Sequence, residues 1–135
     1  MDEARTHLSG GQALGRVPRG RVARVWLPIV AWAALIFALS SVPSLGTGLG
    51  TWDLILRKLA HITEYAVLAF LLRRALSAPW AFAAAVAYAA SDEFHQTFVR
   101  GREGRVLDVA IDAVGAVAGL VLWRRMRARG EEAAR

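Results

Sequence analysis

The feature that most constrains this chain is a set of four long apolar blocks, each close to the length of a membrane-spanning helix. The blocks run from about residue 25 to 41, 54 to 76, 79 to 99 and 106 to 123. At about 1.5 Å per residue, a helix of roughly 20 residues crosses a hydrocarbon core about 30 Å thick. Because 56% of the residues are hydrophobic and only 21% are charged, we predict a membrane protein. A soluble helical bundle is the alternative.

Arginines beside the blocks predict a topology, because short loops rich in Lys and Arg stay on the cytoplasmic side of a membrane. They concentrate in residues 1–24, in the connector after the second block and in residues 124–135. If every block spans the membrane, these three segments lie on the same side of it. Three arginines in the third connector oppose this rule. The fold we predict is all-α, a four-span transmembrane helical bundle with both termini cytoplasmic.

The same pattern divides the chain into three parts. Residues 1–24 are predicted to be a disordered, basic, cytoplasmic segment, residues 25–123 the transmembrane domain, and residues 124–135 a charged cytoplasmic tail. The first block could instead be a signal peptide, since basic residues precede it and small residues follow it. We therefore leave open whether the first span is retained.

Polar side chains interrupt the second, third and fourth blocks at one end of each block. They are Lys58, His61, Glu64 and Tyr65 in the second, Asp92, Glu93, His95 and Gln96 in the third, and Asp108 and Asp112 in the fourth. In the predicted topology these ends all lie in the outer half of the membrane. An ionisable residue inside a span costs about 2.5–3.5 kcal/mol unless it is paired or hydrated. The clustering therefore predicts a shared polar cavity that opens outward.

Helical spacing supports the shared polar cavity. Lys58, His61 and Tyr65 share one face of the second block, and Asp108 and Asp112 share one face of the fourth. The catalytic candidates are Glu93, Asp92, His95 and His61, which could perform acid-base chemistry. The candidates for substrate binding are Lys58, Arg102, Tyr65, Gln96, Asp108, Asp112 and Glu64.

These residue types allow other interpretations. Neighbouring acids and bases could form an internally neutralised ion network that fixes the helices. Imidazoles and carboxylates also bind divalent metals, but the chain lacks a His-Glu-x-x-His pattern, and we assign no metal ligand. Arg102 with Lys58 could bind a phosphate, or Arg102 could pair with Asp108 or Glu93. The residues identify no cofactor.

In order, these motifs resemble the VanZ-like family of integral membrane proteins. The motifs are Lys58-x-x-His61-x-x-x-Tyr65, Asp92-Glu93-x-His95-Gln96-x-Phe98-x-x-Gly101-Arg102, Asp108, Gly115 and Gly119. Arg100 stands where the family usually has proline, and Asp112 where it usually has asparagine. The resemblance covers residues 25 to 123. It implies a multi-pass protein of the bacterial cytoplasmic membrane, whose namesake is linked with low-level teicoplanin resistance.

Three function classes remain open. The first is binding of a lipid headgroup or a lipid-linked wall precursor, which would alter how a glycopeptide reaches it. The second is a hydrolase or transferase that acts on an envelope lipid, so we leave open whether the protein is an enzyme. The third, a proton-coupled transporter, comes last because the cavity opens on one side only. Membrane lipids are the expected partners, a homo-oligomer stays open, and nucleic acid is excluded because no recognition fold accompanies the arginines.

Overall fold

The computed structural model describes residues 19–43 and 50–135, and these ranges contain four α-helices and no strand. The helices are α1 (Arg19–Ser40), α2 (Thr51–Leu72), α3 (Ala78–Gln96) and α4 (Val106–Ala133). Short connectors join α2 to α3 and α3 to α4. Pro79 lies in the first turn of α3, where a missing backbone N–H costs no hydrogen bond. The all-α prediction is confirmed.

The closest helix contact joins α2 and α4, and two glycines make it. A Cβ atom on Gly115 would lie 2.4 Å from the carbonyl oxygen of Ile62, and one on Gly119 would lie 2.0 Å from that of Ala66. Real Cβ atoms do not approach so closely, so both positions require glycine. Stripes of small residues allow such backbone approach between helices in membranes. The contact runs parallel, since both residue numbers increase in the same direction.

Alanines give α3 a narrow inner face. Ala81, Ala85 and Ala89 are fully buried and follow each other at intervals of four residues, so they form one stripe along the helix. Their small side chains bring the backbone of α3 close to its neighbours. The polar residues at the end of α3 therefore lie within reach of α2 and α4.

Helix α1 covers the other side of α2 and α3. Ile29 and Ile36 are its buried apolar residues. The indole N–H of Trp32 donates to the backbone oxygen of Glu64 at 2.9 Å, and the hydroxyl of Tyr88 donates to that of Ala33 at 2.6 Å. These two hydrogen bonds fix the position of α1 along the bundle.

Among the described residues, two helices are long and apolar enough to cross a membrane, namely Gly20–Ser40 of α1 and α4. Only 11% of the apolar window in α1 and 22% of that in α4 is buried within the protein. The core helix of a soluble protein would be mostly buried. Helices α2 and α3 carry more polar residues and fall outside this length and hydropathy criterion. The prediction of four spans therefore goes further than the helices alone support.

The terminal helices extend beyond the predicted apolar blocks. Helix α1 begins at Arg19, inside the segment predicted to be disordered, and α4 continues to Ala133, inside the predicted tail. Residues 124–133 are mainly Arg, Ala, Glu and Met, which are strong helix formers. Their charge indicates an aqueous environment without preventing a helix. The rest of the predicted basic segment, residues 1–18, lies outside the described residues.

Two glycine-to-alanine substitutions in α4 test the helix contact. Gly119→Ala would place its Cβ against the backbone of Ala66, and we expect it to destabilise the protein by about 1–3 kcal/mol, as overpacking does. Gly130→Ala is the matched control, because nothing lies within 4 Å of its Cβ position. It should be neutral or stabilise the helix by up to about 1 kcal/mol. Thermal unfolding in detergent, followed by circular dichroism, measures both; equal effects would contradict the contact.

Candidate functional site

A cavity of about 280 Å³ opens at the end of the bundle where α2 and α4 begin and α3 ends. Its walls come from the first half of α2, the end of α3, the connector between α3 and α4, and the start of α4. Seven of the predicted site residues line it: Lys58, His61, Glu93, Gln96, Arg102, Asp108 and Asp112. The shared polar cavity predicted from the clustering is thus present among the described residues.

The floor of the cavity consists of His61, Glu93 and Asp112, one residue from each of α2, α3 and α4. Their ligand-type atoms all lie within 4.8 Å of one another. His61 Nδ1 and Asp112 Oδ1 are 3.4 Å apart, which is longer than a good hydrogen bond. Asp112 is 1% exposed, and both of its carboxylate oxygens lack a hydrogen-bond partner among the described residues.

The rim of the cavity consists of ion pairs within and between the helices. Lys58 of α2 pairs with Asp108 of α4, Arg57 pairs with Asp53 one turn earlier in α2, and Arg105 pairs with Glu103 in the connector. The hydrogen bond from Arg105 to Glu103 raises the pKa of the Arg105 guanidinium. Surface pairs of this kind contribute little to stability, but they bring six charges to the entrance.

Arg102 differs from the other cations of the cavity because no ion pair of the described residues includes it. Its Nη2 donates to the carbonyl oxygen of Leu39 at 3.0 Å and its Nε to that of Val42 at 2.9 Å. A longer contact of 3.4 Å joins Nη1 to the side-chain oxygen of Gln96. Burial lowers the pKa of this guanidinium, although arginine stays protonated in proteins. Its charge therefore has no carboxylate partner in the part of the chain that the structure describes.

The connector after α3 also holds Glu93 in place. The backbone N–H of Arg105, the residue before α4, donates to Glu93 Oε2 at 3.0 Å, and Gln96 Nε2 donates to Oε1 at 3.3 Å. A Cβ on Gly104 would lie 2.1 Å from the backbone oxygen of Glu93, so only glycine fits there. The carboxylate accepts its backbone hydrogen bond at the start of a helix, where negative charge is favoured.

Two of the catalytic candidates, Asp92 and His95, join α1 to α3 outside the cavity lining. Asp92 is buried and accepts hydrogen bonds from Ser40 Oγ at 2.7 Å and Gln96 Nε2 at 3.1 Å. His95 Nε2 lies 3.1 Å from Ser41 Oγ, and its ring packs on Phe37 with the ring centroids 4.5 Å apart. The structure gives these two residues helix-to-helix contacts instead of a place in the cavity wall.

Two of the substrate-binding candidates on α2 also lie outside the cavity lining. Tyr65 is fully buried, with its ring between those of His61 and Tyr88, and its hydroxyl has no hydrogen-bond partner among the described residues. Glu64 is half-buried, and its backbone oxygen accepts the hydrogen bond from Trp32. Both residues lie one turn deeper in α2 than His61.

Several residues of the site carried no assigned role in the sequence analysis. Asp53, Arg57, Glu103 and Arg105 line the rim, and Ser40 and Ser41 bind the polar residues of α3. Asp53 and Arg57 could have been found from their i,i+4 spacing. No pattern in the sequence pairs the serines at the end of α1 with a helix about 50 residues later.

The family model described as VanZ/LLP1 matches residues 21–127, which include α2, α3 and most of α1 and α4. The protein therefore belongs to the VanZ/LLP1 family, and the resemblance drawn from its motifs is confirmed. The VanZ family is membrane-associated, in agreement with the two apolar helices. Neither the curated proteins nor the solved structures include a match to the chain.

Replacing Ser40 tests whether Asp92 is held as a structural group. Ser40→Ala removes the hydroxyl that donates to the buried carboxylate, and we expect a loss of about 1–3 kcal/mol because a buried acceptor loses a partner. Ser91→Ala is the control, since its exposed hydroxyl bonds only the backbone of its own helix. Its effect should stay within about 0.5 kcal/mol. If thermal unfolding showed the two variants to be alike, the contact between α1 and Asp92 would carry no stability.

Proposed function

We propose that this VanZ-family protein is a multi-pass protein of the bacterial cytoplasmic membrane whose cavity faces outward and binds the anionic headgroup of a lipid or of a lipid-linked wall precursor. All four helices expose large apolar side chains, which favours lipid contact on every side. Examples are Leu27 of α1, Leu59 of α2, Trp80 of α3 and Leu122 of α4. A soluble monomer does not usually expose so much contiguous apolar surface.

The charges support four spans with both termini cytoplasmic. Helix α3 buries Asp92, Glu93 and Gln96, the ionisable residues of α2 are half-buried, and polar residues in spans usually face the interior of a bundle. The cavity lies at the end of the bundle opposite the arginines that follow Leu122. If those arginines remain in the cytoplasm, as positively charged flanks do, the cavity opens outward at headgroup depth.

The observation that carries the binding proposal is the unpaired charge of Arg102 in the cavity wall. Its three described contacts use three of the five N–H groups of the guanidinium. The other two are available to phosphate oxygens, which arginine binds as a fork. Lys58 lines the same cavity and can turn from Asp108 to a ligand. A volume of about 280 Å³ suits a headgroup rather than a whole lipid.

Catalysis on the bound headgroup is the second candidate, and the floor of the cavity favours it. His61, Glu93 and Asp112 lie side by side beneath the space where the headgroup would bind. A histidine beside carboxylates can transfer protons to and from a reacting group. A hydrolase or transferase would use the rim to hold the lipid and the floor to act on it.

Lipid retention by the purified protein tests the binding proposal. We expect the protein, stripped of lipid in detergent, to retain phosphatidylglycerol and a polyprenyl diphosphate in native mass spectrometry, and to retain phosphatidylcholine less. Arg102→Gln should weaken retention of the two anionic lipids by roughly tenfold, since one charged hydrogen bond contributes about 1.5–3 kcal/mol. Lys58→Gln should act in the same direction. Turnover of the retained lipid is then measured after divalent ions are added.

The matched control is Arg129→Gln, which removes an exposed arginine at the far end of α4. It should retain the anionic lipids as the native chain does. Circular dichroism of each variant excludes unfolding, which matters for Arg102 because it also contacts the end of α1. Equal retention of all lipids by all variants would contradict a headgroup site in the cavity.

Antibiotic susceptibility tests the link to glycopeptides that the VanZ family suggests. In a sensitive Gram-positive host, the native chain should raise tolerance to teicoplanin and leave tolerance to vancomycin unchanged, because a bound precursor headgroup would be shielded from the lipophilic drug. Arg102→Gln, expressed at the same membrane level by blot, should lose the effect. Unchanged tolerance with a well-expressed native chain would separate lipid binding from resistance.

A further inference from the structure

The most unusual environment in the protein is that of the Asp112 carboxylate. It is 1% exposed, and neither oxygen has a hydrogen-bond partner among the described residues. His61 Nδ1, which lies 3.4 Å from Asp112 Oδ1, also lacks a hydrogen bond, and the two form an ion pair only when the imidazole is protonated. An unpaired buried carboxylate is costly, and in most proteins such a group is hydrogen-bonded or coordinates a metal. The neighbouring buried Asp92 differs, because its Oδ2 accepts two hydrogen bonds and its Oδ1 alone lacks a partner among the described residues.

We propose that His61, Glu93 and Asp112 bind one divalent transition-metal ion at the floor of the cavity. One imidazole and two carboxylates are donors that Zn²⁺ and Mn²⁺ accept. Ligand atoms about 2.1 Å from one ion lie about 3–4 Å apart. The ligand atoms of the three side chains lie within 4.8 Å of one another, so side-chain movements of about 1–2 Å would let all three bind the same ion.

The surroundings of the three ligands fit a metal centre. Glu93 is oriented by the backbone N–H of Arg105 and by Gln96, and outer contacts of this kind position metal ligands in known sites. The three ligands come from three different helices, and α2 and α4 are held in register by the glycine contact. Side-chain rotation could therefore close the site without moving the helices.

The charges of the cavity also favour a cation at its floor. The lining contains four cations, Arg57, Lys58, Arg102 and Arg105, and five carboxylates, Asp53, Glu93, Glu103, Asp108 and Asp112. Three ion pairs at the rim use three of each sign. Arg102 and His61 then remain beside Glu93 and Asp112; His61 is charged only when protonated, and the contacts of Arg102 are to Gln96 and backbone oxygens. A divalent cation would compensate the two floor carboxylates directly.

Three protein ligands leave coordination positions open, as in catalytic rather than structural metal sites. All three residues line the cavity, so the open positions would face the space above the floor. Water or an anionic oxygen could occupy them. The metal proposal does not depend on the lipid proposal, because it concerns these three side chains and is testable with the metal alone.

The experiment measures metal binding to the full chain in detergent, purified with a histidine-free tag and stripped with EDTA. After incubation with Zn²⁺ or Mn²⁺ and removal of free ions by gel filtration, elemental analysis should give about one ion per chain. Asp112→Asn and Glu93→Gln should each lower the affinity by at least roughly 100-fold, because even residues that only orient a ligand contribute about 10- to 100-fold. Co²⁺ bound to the native chain should absorb visible light, and this spectrum should change in His61→Gln if His61 is a ligand.

Glu103→Gln is the matched control, because it removes a carboxylate from the rim of the same cavity without touching the floor. It should keep one ion with unchanged affinity. Circular dichroism must show that each variant is folded. We expect Asp112→Asn to fold, because Asn and Asp are nearly identical in size. The proposal is overturned if the folded native chain retains neither ion, if Glu103→Gln loses binding as Glu93→Gln does, or if Asp112→Asn binds as tightly as the native chain.

Discussion

The close approach of α4 to α2 is the contact on which the site depends. Gly115 and Gly119 bring the backbone of α4 against Ile62 and Ala66, and this contact sets the register of the two parallel helices. One turn earlier along the pair, Asp112 meets His61, and Asp108 then meets Lys58. One face of α4 therefore packs its glycines against α2 at one end of the contact and presents its carboxylates to the site at the other end. A shift of one residue would turn the carboxylates away from α2.

Helix α3 completes the site because adjacent residues on a helix point about 100° apart. Asp92 therefore faces α1, where Ser40 binds it, and Glu93 faces the cavity, where the start of α4 binds it. Gln96 lies one turn on and donates to both carboxylates. One short segment thus supplies a structural contact on one side and a floor residue on the other.

Some parts of the site could be predicted from the sequence, and others depend on how the helices pack against one another. The stripe of Lys58 and His61 and that of Asp108 and Asp112 follow from helical spacing alone, and both line the cavity as expected. The roles of Asp92 and His95 depend on where α1 packs, and the apolar residues of α1 carry no pattern that fixes its angle. The convergence of His61, Glu93 and Asp112 needs three helices in register, which a single sequence does not specify.

The arrangement of charge gives the cavity two chemically distinct levels. At the rim, cations and carboxylates pair in half-buried or exposed positions, where water and salt partly screen them, so an incoming ion can exchange partners at lower cost than at the floor. At the floor, Glu93 and Asp112 lie against one imidazole in a buried setting, where an uncompensated charge is expensive. Arg102 lines the same cavity, and no described carboxylate pairs with its charge. An anionic ligand at Arg102 and a cation at the floor, the two occupants proposed above, would each lower the cost of binding the other.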